Sequence, residues 1–251
     1  MGILAKGRYR VRFAETPADI GRAQRLRFQQ FVAPQLGQGD PNAVDTDEFD
    51  PICQHVLVED QKTGQLACCF RFLPLENGTE ISRSYSAKYY DLTALQNYPG
   101  RLVELGRFCI DPAYRDADVL RAAWGAMTRY VDAHDVDLLF GCSSFEGTEA
   151  EIYMDAFALL KERHLAPRGL LPRVKAPAVF RFANVLGLKK PNLAHAMRVM
   201  PPLLRTYLVM GGWVSDHAVV DRDMNTLHVF TGLEVKRVPP ARAQLLRRAA
   251  I

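Results

Sequence analysis

The chain predicts an α+β protein, a central mixed sheet with helices on both faces. The first reason is the order of its apolar patterns, which runs strand, helix, three strands, helix, strand, helix. The second is size and composition: 251 residues, 48% apolar and 24% charged, suit a soluble globular enzyme with one substantial core. The third is the final third, which Pro167, Pro172, Pro177, Pro191, Pro201 and Pro202 break into short pieces. Residues 1–165 therefore read as the main core, and 166–251 as a basic carboxy-terminal region packed on it and completing the same domain.

Tyr9 to Phe13 alternates apolar residues with arginine, as a half-buried strand does. Thr16 then caps a helix with Pro17 at its first position, running to about Val32. Residues 34–51, rich in Gly, Pro, Asp and Asn, read as a long loop. His55–Glu59 and Leu66–Leu73 form a hairpin around Lys62-Thr63-Gly64. Residues 76–100 are irregular, with a short helix near Leu92–Gln96. Leu102–Ile110 is a buried strand ended by Asp111-Pro112, Asp118–His134 a helix, Leu138–Ser144 a strand and Glu149–Arg163 a helix. Leu203–Met210 suits a short helix or a strand, and Leu227–Val235 a strand.

Charge divides the chain. Residues 1–160 carry 16 Lys/Arg against 23 Asp/Glu and residues 161–251 carry 16 against 5, so a net −7 precedes a net +11. A basic third can steer an acidic partner or an anionic membrane face, or be only a solvated surface. Nucleic acid is disfavoured, because no zinc spacing, RNP-like motif or helix-turn-helix accompanies the charge. Five cysteines without regular spacing read as reduced thiols in the cytoplasm. Met1–Arg12 lacks the apolar stretch of a secretory signal, and no run of apolar residues is long enough to span a bilayer. The dinucleotide and phosphate-loop glycine patterns are absent, the six histidines lack ligand spacing, and Ser143-Ser144 sits in no nucleophile elbow.

Scattered polar residues occupy positions where an apolar side chain would cost less. Arg27 and Phe31, four apart, share a helix face. Asp47 and Asp50 flank Phe49 in the acidic loop, and Arg71 lies between Phe70 and Phe72 in a strand. Singly, each has a structural explanation: a solvated helix charge, turn formers, an edge-strand arginine. Glu104 and Arg107, three apart in a strand, point to opposite faces, so at least one sits on a face that should be covered. Such a carboxylate is a structural ion pair or a tuned site group.

The ordered set Arg27-x-x-x-Phe31, Asp47-x-x-Asp50, Arg71 and Glu104-x-x-Arg107-Phe108 resembles the acyl-homoserine-lactone synthases and equally their relatives, the ornithine-lipid N-acyltransferases. Glu104-Leu105-Gly106-Arg107 through Asp111-Pro112-x-Tyr114-Arg115 is more similar to the second group. Pro201-Pro202-Leu203-Leu204-Arg205-x-Tyr207-Leu208-x-x-Gly211, with Asp221 and Thr226, is similar to that group alone. Met224, where an aromatic is expected, and His228, where an acidic residue is usual, depart from its pattern.

The resemblance implies a GNAT fold with a carboxy-terminal extension. It also implies N-acylation of L-ornithine's α-amine by a 3-hydroxyacyl group from acyl carrier protein, the first step of ornithine lipid biosynthesis. Glycine or glutamine as acceptor, homoserine-lactone synthesis, and a non-catalytic lipid- or membrane-binding protein are the alternatives. No cofactor is expected to be bound, since the donor carries its own 4′-phosphopantetheine. The loop Tyr114-Arg115-Asp116-Ala117-Asp118 lacks the glycines that wrap the pyrophosphate of coenzyme A, which favours the carrier protein. Glu104 and Arg107 are the catalytic candidates, Glu104 as general base or as a salt-bridge anchor. Arg27, Asp47, Asp50 and Arg71 form the supporting network, with Phe31 and Phe108 as acyl-pocket walls, Arg115 as a binding residue and Asp221 for the acceptor's cationic end. The expected location is the cytoplasm, with peripheral contact at the inner face of the membrane. Leu203, Leu204, Tyr207, Leu208, Met210 and Trp213 read as core or as an interfacial patch.

Overall fold

Arginine alternating with apolar residues makes 9–13 a strand, with Tyr9 and Val11 turned inward and Arg10 outward. In the computed structural model, which describes residues 4–37, 40, 42–114 and 116–249, it is β2 (Tyr9–Phe13), preceded by β1 (Leu4–Lys6). Thr16 accepts a hydrogen bond from the Asp19 amide and Pro17 opens α1 (Pro17–Arg27). The helix expected to reach Val32 unbroken instead widens into a π turn at Phe28–Val32 before α2 (Ala33–Leu36). Pro34 supplies the reason: it cannot donate to the carbonyl four residues back, and the turn before it shifts to a longer spacing. The hairpin forms as β3 (Gln54–Asp60) and β4 (Leu66–Leu75), with a bulge between Val58 and Glu59.

Residues 76–100 hold short pieces, among them α3 (Ser86–Tyr89), β5 (Tyr90–Asp91) and a 3-10 turn at Thr93–Leu95. β6 (Arg101–Ile110) follows, then α4 (Ala117–Ala133), which Asp116 caps by accepting from the amides of Asp118 and Val119. Next come β7 (Val136–Glu146) and α5 (Met154–Arg163). The proline-rich third breaks into β8 (Arg173–Val174), β9 (Val179–Phe180), α6 (Phe182–Val185), α7 (Leu193–Val199) and α8 (Pro202–Val209). It ends in β10 (Trp213–Val214), β11 (Ala218–Asp221), β12 (Thr226–Glu234) and α9 (Pro240–Ala249). Pro202 opens α8, which decides Leu203–Met210 for a helix.

The chain divides into two compact units, and β6 passes from one to the other between Glu104 and Leu105. The first unit holds Met1–Pro74, Leu105–Val136 and Pro240–Ile251. There β1, β2, β3 and β4 pair antiparallel in that order. Ala23, Leu26, Leu57, Leu66, Cys69 and Cys109 form one core cluster, with Phe31 packed against it. Phe70 stacks on Phe108 at 5.6 Å and Phe72 on Tyr130 at 4.4 Å.

The second unit holds Leu75–Glu104 and Asp137–Pro239. Its spine is the antiparallel pairing of β12 with β7, continued by β11 and then β9. Phe145, Phe157, Leu160 and Phe182 centre its core, and Phe157 and Phe182 stack at 5.1 Å. Of the stretch read as core or as an interfacial patch, Leu204, Tyr207, Leu208, Met210 and Trp213 are buried and belong to the core, while Leu203 is half-buried.

Candidate functional site

Helix α1 brings Arg27 to its last turn, and the acidic loop wraps round it. Arg27 is 1% exposed. Its Nε donates to Asp45 Oδ2 at 2.8 Å, and its two Nη atoms donate to Asp50 Oδ1 and Oδ2 at 2.7 and 2.9 Å. A further Nη2 bond reaches the Asp45 carbonyl. Strand β4 presents Arg71, whose Nη atoms donate to both oxygens of Asp47 at 2.6 Å, with Nη1 also meeting Asp50 Oδ1 at 2.5 Å. Arg107 on β6 adds Nη2 to Asp47 Oδ2 at 3.1 Å and pairs with Asp45 Oδ2 at 3.4 Å.

The acidic loop shapes itself for this task. Asp47 Oδ1 accepts from the amides of Phe49 and Asp50, closing the turn that aims both carboxylates at the arginines. The Phe49 ring lies against the Arg71 guanidinium, 5.7 Å from its carbon. Gln24 donates to Asp50 Oδ2 at 2.9 Å, and His55 Nε2 lies 3.0 Å from the Asp50 carbonyl. Burial pushes the carboxyls of Asp47 and Asp50 up, but hydrogen bonds from Arg71 and Arg27 respectively outweigh it and hold both below the usual range. Burial pushes His55 down. Three arginines thus face three aspartates, so the buried charge cancels.

Arg107 has φ 51°, a left-handed backbone that non-glycine residues seldom adopt. Strict alternation along β6 is therefore broken at this residue, and the opposite-face reading of Glu104 and Arg107 does not carry past it. The kink aims the Arg107 guanidinium into the Asp45–Asp47 cluster.

The second unit holds Glu104, 4% exposed. Its Oε2 accepts from the Tyr85 amide at 2.8 Å, and its Oε1 from the Ser86 amide at 2.7 Å and Ser86 Oγ at 2.6 Å. These donors sit at the start of α3, so the carboxylate fixes that turn. Ser86 Oγ lies 3.5 Å from Cys142 Sγ on β7. In the register of β7 and β12, Cys142 faces Phe230 and Ser144 faces His228. Tyr90 donates to the His228 carbonyl at 2.8 Å and lies 3.1 Å from its Nδ1. Burial, with the field of His217, pushes His228 down to about 3.

Of the residues singled out from sequence, Arg27, Asp47, Asp50, Arg71 and Arg107 come together in the first unit. Phe31 packs against the core and Phe108 against Phe70. Asp221, on β11, accepts from the Met224 amide at 3.0 Å and closes the turn into β12. Arg115 lies outside the described residues. Sequence reasoning missed Asp45, Gln24 and His55. Asp45 could have been found, because it stands two residues before Asp47 in the same loop.

Fold and polar network together define an acyltransferase of the GNAT type. Residues 26–125 match the family described as Acetyltransferase (GNAT) domain. The structure of FeeM, an N-acyl amino acid synthase from uncultured soil microbes, matches 94% of this chain and 99% of that one, with TM-score 0.53 and 10% identity. A CoA-dependent acyl-homoserine lactone synthase, BjaI, matches 94% and 84%, with TM-score 0.50 and 11% identity. These likenesses show the fold. The L-ornithine N(alpha)-acyltransferase of Rhodobacter capsulatus is 35% identical over 232 residues, covering 88% of each chain. That of Agrobacterium fabrum is 30% identical over 243 residues, covering 92% of this chain and 83% of its own. The chain belongs to the L-ornithine N(alpha)-acyltransferase family.

Proposed function

We propose that this chain transfers a 3-hydroxy fatty acyl group from acyl carrier protein to the α-amine of L-ornithine, giving lyso-ornithine lipid. The observation that carries this reading is the 35% identity to the R. capsulatus enzyme across nearly the whole of both chains. The neutral amine attacks the thioester carbonyl, the tetrahedral intermediate collapses, and the pantetheine thiol leaves with a proton. Glu104 takes the proton from the ammonium, directly or through water, while holding the Tyr85–Ser86 turn. Arg27, Arg71, Arg107 and their aspartates keep the amino-terminal segment in place, with Phe31 and Phe108 beside the acyl chain. Asp221 is assigned to the acceptor's cationic end and Arg115 to substrate binding.

The carrier-protein donor is supported by the glycine-poor loop at 114–118 and the net +11 of residues 161–251. Pairing of β12 with β7 supports the reading that the carboxy-terminal region completes a sheet begun before residue 165, within the second unit. Among the described residues no helix is long and apolar enough to cross a membrane. We place the enzyme in the cytoplasm, reaching the inner membrane face to deliver its product. Donor choice is tested by turnover with the same acyl group on acyl carrier protein and on coenzyme A. A far higher kcat/KM with the carrier protein is expected, and equal values would remove the carrier-protein assignment.

A further inference from the structure

The stretch from Arg163 to Ser215 contains nine Lys/Arg and no Asp or Glu. Within it, α6, α7 and the loop between them show large apolar side chains to solvent. Leu188 is 100% exposed, Val185 62%, Leu193 46% and Met197 40%. Their neighbours explain why these are not loose ends. Phe182 and Leu186 are buried in the core of the second unit, as are Ala196 on α7 and Met200 just after it. Leu193 and Met197, four apart, are left on an outward face.

The stretch is also tied down. Asp155 on α5 accepts from the Asn192 amide at 3.2 Å, lies 3.0 Å from His195 Nδ1 and pairs with Lys189 at 3.6 Å. Lys161 donates to the Gly187 carbonyl. Leu188 is therefore held outward at the tip of an anchored loop, with Lys189 and Lys190 directly after it, both exposed.

We propose that this surface, Val185 to Arg198, is a docking site for an anionic lipid bilayer, with Leu188 entering the headgroup–acyl boundary. A projecting leucine followed by two lysines suits an interface in which apolar groups sink a few ångströms and lysine stems reach back to headgroup phosphates. No acidic residue lies in 163–215, and Asp155, the carboxylate this loop meets, is matched by Lys189, so the net charge offered to an anionic leaflet stays positive through Lys190 and Arg198. Leu188 is the most exposed of these side chains and projects beside Lys189 and Lys190, which suits a bilayer's apolar-to-phosphate boundary better than the broad apolar centre of a protein interface. The surface is independent of which amino acid is acylated.

The full chain is sedimented with vesicles of phosphatidylcholine alone and of phosphatidylcholine with phosphatidylglycerol, without donor or acceptor. Binding is expected to the anionic vesicles only, and to fall with salt. Leu188→Asp should weaken it by roughly ten- to a hundredfold, the value of withdrawing one leucine from an apolar boundary. Lys190→Gln should weaken it about fivefold at low salt. Residue 188 has no core contact to lose, so circular dichroism of L188D should match the parent. Absence of vesicle binding, or binding unchanged in L188D, overturns the proposal. So does a L188D variant whose vesicle binding is intact while its KM for acyl-carrier protein rises, which would make the surface a carrier-protein site. A chain that binds vesicles but fails to acylate ornithine would leave this inference standing and remove only the catalytic reading.

Discussion

Arg71 grips Asp47 with both terminal nitrogens, each at 2.6 Å, and reaches Asp50 with one of them at 2.5 Å. A fork that meets both oxygens of one carboxylate fixes distance and angle together, which a lysine ammonium cannot do. This pair joins β4 to the acidic loop, and Arg27 and Arg107 complete it from α1 and β6.

Breaking this network from one side should be costly. Arg71→Ala leaves Asp47 and Asp50 facing a cavity with part of their compensation gone, and the expected loss is about 3–5 kcal/mol of unfolding free energy. Arg71→Lys keeps the charge but not the fork, and should lose a smaller part. Urea denaturation followed by circular dichroism measures both. A loss below about 1 kcal/mol for the alanine variant would mean that the network is as weak as an exposed pair.

Stability should fall on acidification in two stages. Asp47 and Asp50 have folded pKa values below their unfolded value of about 3.9, so their contribution is present above that pH and is lost as pH drops through the lower folded values. His228 is also depressed, to about 3 against about 6.5 unfolded, because burial favours its neutral form. Its contribution is whole above about pH 6.5 and declines as pH falls from there towards 3, at up to about 1.4 kcal/mol per unit. His55, depressed by burial, adds in the same sense. Unfolding free energies between pH 4 and 8 should rise with pH and level near neutrality, and His228→Asn should flatten part of that slope. A slope unchanged in this variant would show that His228 is not held neutral.

Glu104→Gln tests the base assignment. The amide keeps the shape and one acceptor oxygen, but its NH2 group would confront one of the donors from Tyr85 or Ser86. A fall in kcat by about 10²–10⁴ is expected, the ordinary worth of a positioned base. Undiminished kcat would remove that role and leave Glu104 as the anchor of α3.

Strong periodic elements were legible in the sequence: the β3–β4 hairpin, β6, α4, β7, α5 and β12 all lie where apolar pattern and caps put them. Elements of two to four residues, such as β10 and β11, are too short for periodicity to reveal. α7 and α9 were missed because proline breaks and charge obscure their apolar stripe. Within the site, Asp47, Asp50 and Arg71 were legible through the family resemblance that their order carries, whereas the sign of Asp45 was no more than its place two residues before Asp47, since an aspartate in an acidic loop looks like a turn former until a buried arginine is placed beside it. The left-handed backbone at Arg107 was hidden for another reason, that an arginine in a strand gives no local signal of positive φ.

The most direct measurement incubates the purified chain with 3-hydroxypalmitoyl-acyl carrier protein and a panel containing L-ornithine, glycine and glutamine, with products read by mass spectrometry. N-acylated ornithine is the predicted dominant product, bearing the acyl group on the α-nitrogen and appearing with release of the free carrier-protein thiol. Acylation of glycine or glutamine in preference to ornithine, or no acylated amino acid at all, would contradict the account.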